Sequence, residues 1–317
     1  MIIYIGNILS GNGPSNVDKA LVGKLADDIY FIQATKRTLS VKDIISIYSS
    51  HTIHVSAVSL LGLVVLAFSK FFGKKTTFTM HGSLMIEKEY RHVPYIRICF
   101  EKLLVIGCDT IITVSKRLES YVGSVYPKSA HKVISIPNGV EELNNGSSIK
   151  EKKIVCIGGG RAEKRILSVC RAFEKLPLEI KQTYRIIVYG EEGSDSDLLQ
   201  SFDFVTFRGF VAQEELLREM SRAEIYVQYS KYEPFCLAVF EAMSSKCKLI
   251  LSDQIGAIDY LTDIDRSIVS IAKNEEELVD CILESIKKEA PEYSSYENLG
   301  WKEIAREYLT LWGRSSA

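Results

Sequence analysis

Ten β-rich runs of four or five residues alternate with helical-looking stretches along this chain: Ile2–Ile5, Ile29–Ile32, Thr76–Met80, Thr110–Val114, Lys132–Ile136, Lys153–Ile157, Arg185–Tyr189, Phe204–Phe207, Ile225–Gln228 and Lys248–Leu251. Runs that short bury enough apolar surface only as neighbours in a sheet. Strands separated by amphipathic helices pair in parallel, with helices on both faces. The expected class is therefore α/β, with doubly wound parallel sheets.

At 317 residues the chain exceeds what one core normally organises. The rhythm pauses at Pro137-Asn-Gly-Val-Glu-Glu-Leu-Asn-Asn-Gly-Ser-Ser148, where turn formers cluster before the strand at Lys153. This predicts one domain over 1–145 and a second over 146–295. A closing segment, 296–317, places Trp301, Ile304, Tyr308 and Leu311 on one helical stripe suited to docking. Two such domains make a cleft at the carboxyl ends of their strands, where open α/β sheets bind ligands.

A formal net charge of -1, with 25% charged residues, gives no electrostatic footprint for DNA or RNA. Seven cysteines without CxxC spacing read as reduced thiols of a cytoplasmic protein, and the opening Met-Ile-Ile-Tyr-Ile-Gly reads as a strand rather than a secretion signal. Val55 to Ser69 is apolar but shorter than the roughly 20 residues of a spanning helix, which suggests a buried helix. The basic, aromatic Lys70-Phe-Phe-Gly-Lys-Lys75 after it reads first as a helix C-terminus complementing the dipole. The alternative is peripheral contact with the inner, anionic face of a membrane.

Three stretches carry the chemistry. Gly11-Asn12-Gly13 lies between the first strand and a helix and suits either a phosphate or a simple tight turn. Gly158-Gly-Gly-Arg-Ala-Glu-Lys-Arg165 offers a flexible backbone beside Arg161, Lys164 and Arg165, matched to a diphosphate. In Tyr232-Glu-Pro-Phe-Cys-Leu237, Glu233 precedes a helix expected over Phe235–Ser245, and the amides of Phe235, Cys236 and Leu237 are expected to leave its N-terminus. Glu241 follows about two turns inside, placed to hold a ribose or, on the simpler reading, solvated. His81 ends a strand and is followed by glycine. Asp195-Ser-Asp197 sits in a polar loop and predicts no metal site.

Together these residues resemble the retaining nucleotide-sugar glycosyltransferases of family 4. The most specific match is the E-x7-E motif, Glu233 and Glu241, supported by His81-Gly82, Thr113-Val-Ser115, Ile136-Pro-Asn-Gly-Val140, Lys164, Arg208-Gly-Phe210 and Leu251-Ser-Asp253. The resemblance implies a GT-B fold, two Rossmann-like domains facing a cleft, with the closing helix returning to the N-terminal domain. It implies transfer from a nucleotide-diphosphate sugar, UDP-sugar favoured, to a hydroxyl of a glycan or lipid-linked acceptor, as in bacterial polysaccharide synthesis, without metal or other cofactor.

By the same resemblance, Glu233, His81, Lys164 and Arg161 serve the reacting sugar and its leaving diphosphate. Glu241 holds the ribose, the amides of Phe235, Cys236 and Leu237 hold the distal phosphate, and the Gly190 turn and the backbone at Phe210 hold the base. Gly11, Asn12 and Gly13 frame the phosphate and acceptor side. The chain departs from the family pattern where Gly159 stands at the usual basic position, where Cys236 replaces glycine, and where Ser245-Lys-Cys-Lys248 lacks one. Two other readings are a non-catalytic GT-B subunit that activates a partner, and a GT-B sugar-nucleotide epimerase.

Overall fold

The computed structural model describes residues 1–11, 13–141 and 149–313. Its contacts divide the chain into two units, 1–140 with 297–317, and 141–296. The junction expected at 145/146 and Asn12 lie outside the described residues.

The first unit runs β1 (Ile2–Gly6), α1 (Gly13–Lys24), β2 (Ile29–Gln33), α2 (Val41–Ser49), β3 (Thr52–Val55), α3 (Leu60–Phe71) and β4 (Lys75–Met80). It continues through α4 (Leu84–Glu87), α5 (Tyr95–Gly107), β5 (Thr110–Thr113), α6 (Lys116–Val125) and β6 (Val133–Ser135). The second unit begins with β7 (Glu151–Ile157), α7 (Ile166–Glu174), α8 (Leu178–Thr183), β8 (Arg185–Tyr189), α9 (Ser196–Gln200) and β9 (Val205–Gly209). Then follow α10 (Gln213–Arg222), β10 (Ala223–Gln228), α11 (Leu237–Ser244), β11 (Lys248–Ser252), α12 (Asp263–Ile268), β12 (Ser270–Ala272) and α13 (Glu275–Lys287). The closing α14 (Trp301–Leu311) belongs to the first unit.

Each unit holds a six-stranded sheet, ordered β2-β1-β3-β4-β5-β6 and β12-β11-β10-β7-β8-β9, and every pairing is parallel. The chain reverses its direction across the sheet between β1 and β3, and again between β7 and β10. Loops leaving the carboxyl ends of those strands diverge and leave a crevice for a ligand. Burial on both faces explains why β1 and β10 read as near-continuous apolar runs, since every residue of each is buried.

Two strands escaped the periodicity. β3 carries Thr52 and His54, polar types that do not announce a buried strand, yet all four of its residues are buried. β12 spans three residues, too few for a period to show. The apolar Val55–Ser69 is not one buried helix: Val55 ends β3, and α3 starts at Leu60 behind an N-cap, the Ser59 hydroxyl accepting from the Gly62 amide at 3.0 Å. Nor is α3 buried all round, for Leu60, Val64 and Phe71 are 64, 57 and 84% exposed.

His54 is held by Thr77, whose hydroxyl lies 2.8 Å from Nδ1, and is surrounded by Tyr4, Tyr308 and Trp312. The indole Nε1 of Trp312 donates to the same Thr77 hydroxyl at 3.1 Å, and Tyr308 meets Thr79 at 3.1 Å. The docking stripe thus runs Trp301, Ile304, Tyr308 and Trp312, all buried; Leu311 is only partly so. Gly139 admits the Trp301 ring, since a Cβ there would lie 2.3 Å from it. Burial holds the His54 imidazole down to about 3, against an ordinary value near 6.5.

Below pH 6.5 the unfolded chain therefore binds a proton that the native chain refuses. Stability is full above that value and falls, by up to about 1.4 kcal/mol per pH unit, as pH drops towards 3. Urea melts at pH 7 and pH 5 are expected to show this loss, and His54→Gln to flatten it. Equal slopes in the two proteins would contradict it.

Candidate active site

Four strand ends of the second unit carry the donor-side candidates. The chain leaves β7 through Gly158-Gly-Gly160, whose glycines act as spacers rather than as a flexible cradle. Gly158 and Gly159 both donate to the Tyr189 carbonyl at 2.8 Å, Gly160 donates to Glu191 O at 3.0 Å, and Gly190 donates to Gly209 O at 2.8 Å. A Cβ at 159 would sit 1.9 Å from the Glu191 carbonyl oxygen, and one at 190 would sit 2.5 Å from the Gly159 nitrogen. The family's usual basic side chain at 159 has no room here. Gly158, at φ 145°, opens space for Lys164, whose Cγ would lie 2.4 Å from a Cβ there.

Lys164 closes a short 3-10 turn and reaches across to Glu233, with which it forms an ion pair. Both side chains are 13% exposed. The same Oε1 of Glu233 accepts from Gln228 Nε2 at 3.1 Å and from the Ser230 hydroxyl at 3.0 Å. Gln228 also donates to Ser230 at 2.6 Å and accepts from Tyr226. The Glu233 backbone is clamped as well: its N–H donates to Gln254 O at 3.1 Å, its carbonyl accepts from Gly256 N at 2.9 Å, and it forms a parallel bridge with Ile255. One carboxylate thus presents charge at a fixed place on the sheet's crevice. Gln228 and Ser230 were missed by sequence reasoning, although two polar residues at alternate positions on the end of an apolar strand were the available signal.

Arg165 does not join the cationic group. Its guanidinium donates to the Tyr229 and Ser230 carbonyls at 2.8 and 2.9 Å and stacks on the Tyr229 ring, fastening the loop after β10. Arg161 is nearly half exposed, bonds the Gly158 carbonyl through Nε at 3.0 Å and stands 3.8 Å from Glu163.

The helix after Glu233 starts later than expected, at Leu237. Phe235 precedes it, with its ring in the core stacked on Phe240 at 5.6 Å, so only its backbone is available to a ligand. Cys236 is the N-cap at φ 83°, a left-handed conformation that explains the family's glycine at this position. Burial pushes its thiol well up, so it carries no thiolate. Glu241 is the fifth residue of α11, little more than one turn in, and accepts from Gln213 Nε2 of α10 at 3.1 Å. Burial raises its carboxyl above the usual range against that hydrogen bond. Phe210, 74% exposed, follows Gly209 at the end of β9.

In the first unit, Gly11 (φ 68°) and Gly13 follow β1, with Gly13 opening α1, and His81 follows β4. The His81 Nε2 lies 2.9 Å from the Ser56 hydroxyl and 3.7 Å from Asp18, while its Nδ1 is buried without a partner among the described residues. Asp18 was not foreseen, because a charge on a helix defaults to solvent. It is 1% exposed, accepts from Tyr4 OH at 2.7 Å and from the Asn7 amide at 2.7 Å, and bonds Ser56. Burial pushes its carboxyl up, but His81, Ser56 and Tyr4 more than offset this and hold it below the usual range. Asp195 is the N-cap of α9, and the described residues contain no group of three His, Cys, Asp or Glu suited to a metal.

With this geometry in place, comparison with known proteins is informative. The family described as glycosyl transferases group 1 matches residues 141–303, more than half of the chain. The chain belongs to that family. The description glycosyltransferase family 4 matches residues 31–142. The chain is 28% identical over 238 residues to an uncharacterized glycosyltransferase of Methanocaldococcus jannaschii, covering 64% of the chain and 59% of the relative. It is 25% identical over 156 residues to the O-antigen chain mannosyltransferase B of Escherichia coli, covering 47% and 38%. It therefore spans less than two thirds of each relative's length.

Among solved structures it is similar to a sucrose-phosphate synthase from Thermosynechococcus elongatus, with a TM-score of 0.76, 18% identity and 98% of each chain covered. It is also similar to Anabaena HepE in complex with UDP, with a TM-score of 0.67, 13% identity, and 99% of this chain and 95% of that one covered. These likenesses fix the fold as GT-B, two parallel α/β units of the expected class.

Proposed function

We propose that this glycosyltransferase moves a hexosyl group from a nucleoside-diphosphate sugar, UDP-sugar favoured, to a hydroxyl of a glycan or lipid-linked acceptor, with retention. The observation that carries the reading is the Lys164–Glu233 pair at the crevice between β7 and β10, where one carboxylate is braced by Gln228 and Ser230. A braced carboxylate accepts hydrogen bonds from sugar hydroxyls without reorganising. The ammonium beside it meets the charge that grows on the diphosphate as the glycosidic C–O bond breaks. The acceptor oxygen forms its bond on the face the diphosphate leaves, and the departing phosphate oxygen takes the acceptor's proton. Lys164 and Arg161 supply the countercharge, so the proposal includes no metal.

Around that pair, Glu241 takes the ribose hydroxyls, and the backbone from Phe235 to Leu237 takes the distal phosphate. The Gly190 turn and the backbone at Phe210 take the base, His81 a hydroxyl of the donor sugar, and Gly11 to Gly13 the acceptor side. The UDP in a solved relative of the same fold supports the choice of nucleotide. A setting on the cytoplasmic side, in glycan or glycoconjugate synthesis, follows from this donor class.

A ligand that binds only the folded state raises the apparent melting temperature. UDP-, GDP- and ADP-sugars are therefore to be compared by thermal shift, followed by hydrolysis or transfer assays on the isolated chain. A shift and turnover with one nucleotide class are expected. No shift with any of them would overturn the reading, and a shift without turnover by the chain alone would favour a subunit that serves a partner. An ionised Glu241 accepts from ribose hydroxyls more strongly than the neutral acid, and burial raises its carboxyl, so donor affinity is expected to weaken as pH falls, beginning above the ordinary glutamate value, and Glu241→Gln to abolish that dependence. An unchanged profile in the variant would remove Glu241 from the ribose contact.

A further inference from the structure

We infer that the outer face of α2, α3 and α5 docks on an anionic lipid bilayer. This goes beyond the sugar-transfer reading and rests on the first unit alone.

The connections β2 to β3, β3 to β4 and β4 to β5 all step the same way across the sheet. Right-handed crossovers then lay α2, α3 and α5 side by side on one face. Each helix buries one stripe against the sheet and turns a second apolar stripe outward. On α2 the outward residues are Val41, Ile44, Ile45 and Tyr48, at 74, 53, 61 and 62% exposure. On α3 they are Leu60, Val64 and Phe71, and on α5 Ile96, Leu103 and Ile106, the last three at 57, 54 and 57%. Exposed leucines scattered singly need no explanation, but helical spacing repeated on three neighbouring helices does. The stripes are joined: the Tyr48 and Phe72 rings lie 5.6 Å apart, Phe71 and Phe72 5.1 Å, and α3 packs on α5, with Gly107 against Leu66.

Charge selects the occupant. Over residues 41–49, 60–75 and 95–107 the cations are Lys42, Lys70, Lys74, Lys75, Arg97 and Lys102, and the acids are Asp43 and Glu101. Both acids are buried and turned inward, Asp43 capping α2 through Ser40 and Glu101 accepting from the Leu84 amide at 2.7 Å. The outward surface is thus apolar with a basic margin, in a chain whose net charge is -1. Long basic stems beside apolar and aromatic residues suit the headgroup boundary, where the stem lies along hydrocarbon and the charge meets phosphate. Lys70 and Lys74 also serve the fold, pairing with Asp109 and with the Tyr48 and Ser50 carbonyls, so the test uses other positions.

The full chain is to be floated with phosphatidylcholine vesicles with and without phosphatidylglycerol, alongside Ile45→Ser/Phe71→Ser and Lys42→Glu/Lys102→Glu. The wild type is expected to bind the phosphatidylglycerol vesicles, each double variant at least about tenfold more weakly, and melting temperatures to stay unchanged. Absence of wild-type binding, or binding that neither variant reduces, would overturn the proposal. So would self-association of the wild type that Ile45→Ser/Phe71→Ser dissolves while vesicles go unbound, because the face would then belong to a second copy of the chain.

Discussion

Glu233→Gln and Lys164→Ala are each expected to lower sugar transfer by a factor of about 100 to 1,000, the usual loss when one preorganised electrostatic partner of a transition state is removed. The glutamine keeps the volume and still accepts from Ser230 and Lys164, so its effect on melting is expected to be small. Lys164→Ala is expected to cost about 1–3 kcal/mol, because the partly buried Glu233 loses a charged donor but keeps Gln228 and Ser230. In Lys164→Ala the loss belongs to kcat, since the charge it neutralises grows only as the diphosphate departs. Rate measurements with saturating donor check this. Near-normal rates in both variants would remove this pair from the chemistry.

Gly159→Ala is expected to be among the most damaging small substitutions in the second unit. Its methyl would approach the Glu191 carbonyl oxygen to 1.9 Å and the Gly190 carbonyl carbon to 2.7 Å, both backbone atoms, at a φ of 63° that already disfavours a side chain. The strand-end loops have to separate, breaking their hydrogen bonds, and a loss of roughly 3 kcal/mol or more is expected. Gly11→Ala is the control: its φ is 68°, but among the described residues nothing lies within 4 Å of the new methyl, so only about 1 kcal/mol is at stake. Urea denaturation of both variants separates steric from dihedral cost. Equal midpoints would refute the interlocking of the two loops.

The two Rossmann-like sheets were readable because parallel strands buried on both faces leave unmistakable apolar runs. β3 was not, because its His54 becomes a core residue only once Thr77, Tyr308 and Trp312 arrive from distant parts of the chain. The same holds for the site. Glu233 and Lys164 could be picked out by local motif, and Gln228 and Ser230 left a local trace in their alternation at the strand end, whereas Asp18 acquires its role through Ser56 and His81, partners that no local pattern specifies. The start of α11 slipped by two residues, since proline announces a first turn but Cys236 at φ 83° delays it.

The interlock of residues 158–160 with 190–193 also limits how this chain can diversify. A Cβ at Gly159, Gly160, Gly190 or Gly193 would meet backbone of the facing loop or of α9 at under 3 Å. That floor is closed to ordinary sequence drift. Any retuning of donor preference by substitution is pushed outward, onto side chains at its margin such as Arg161, Phe210 and Gln213. A library randomised at those three positions is where altered nucleotide preference is to be sought, with the loops beneath left as they are.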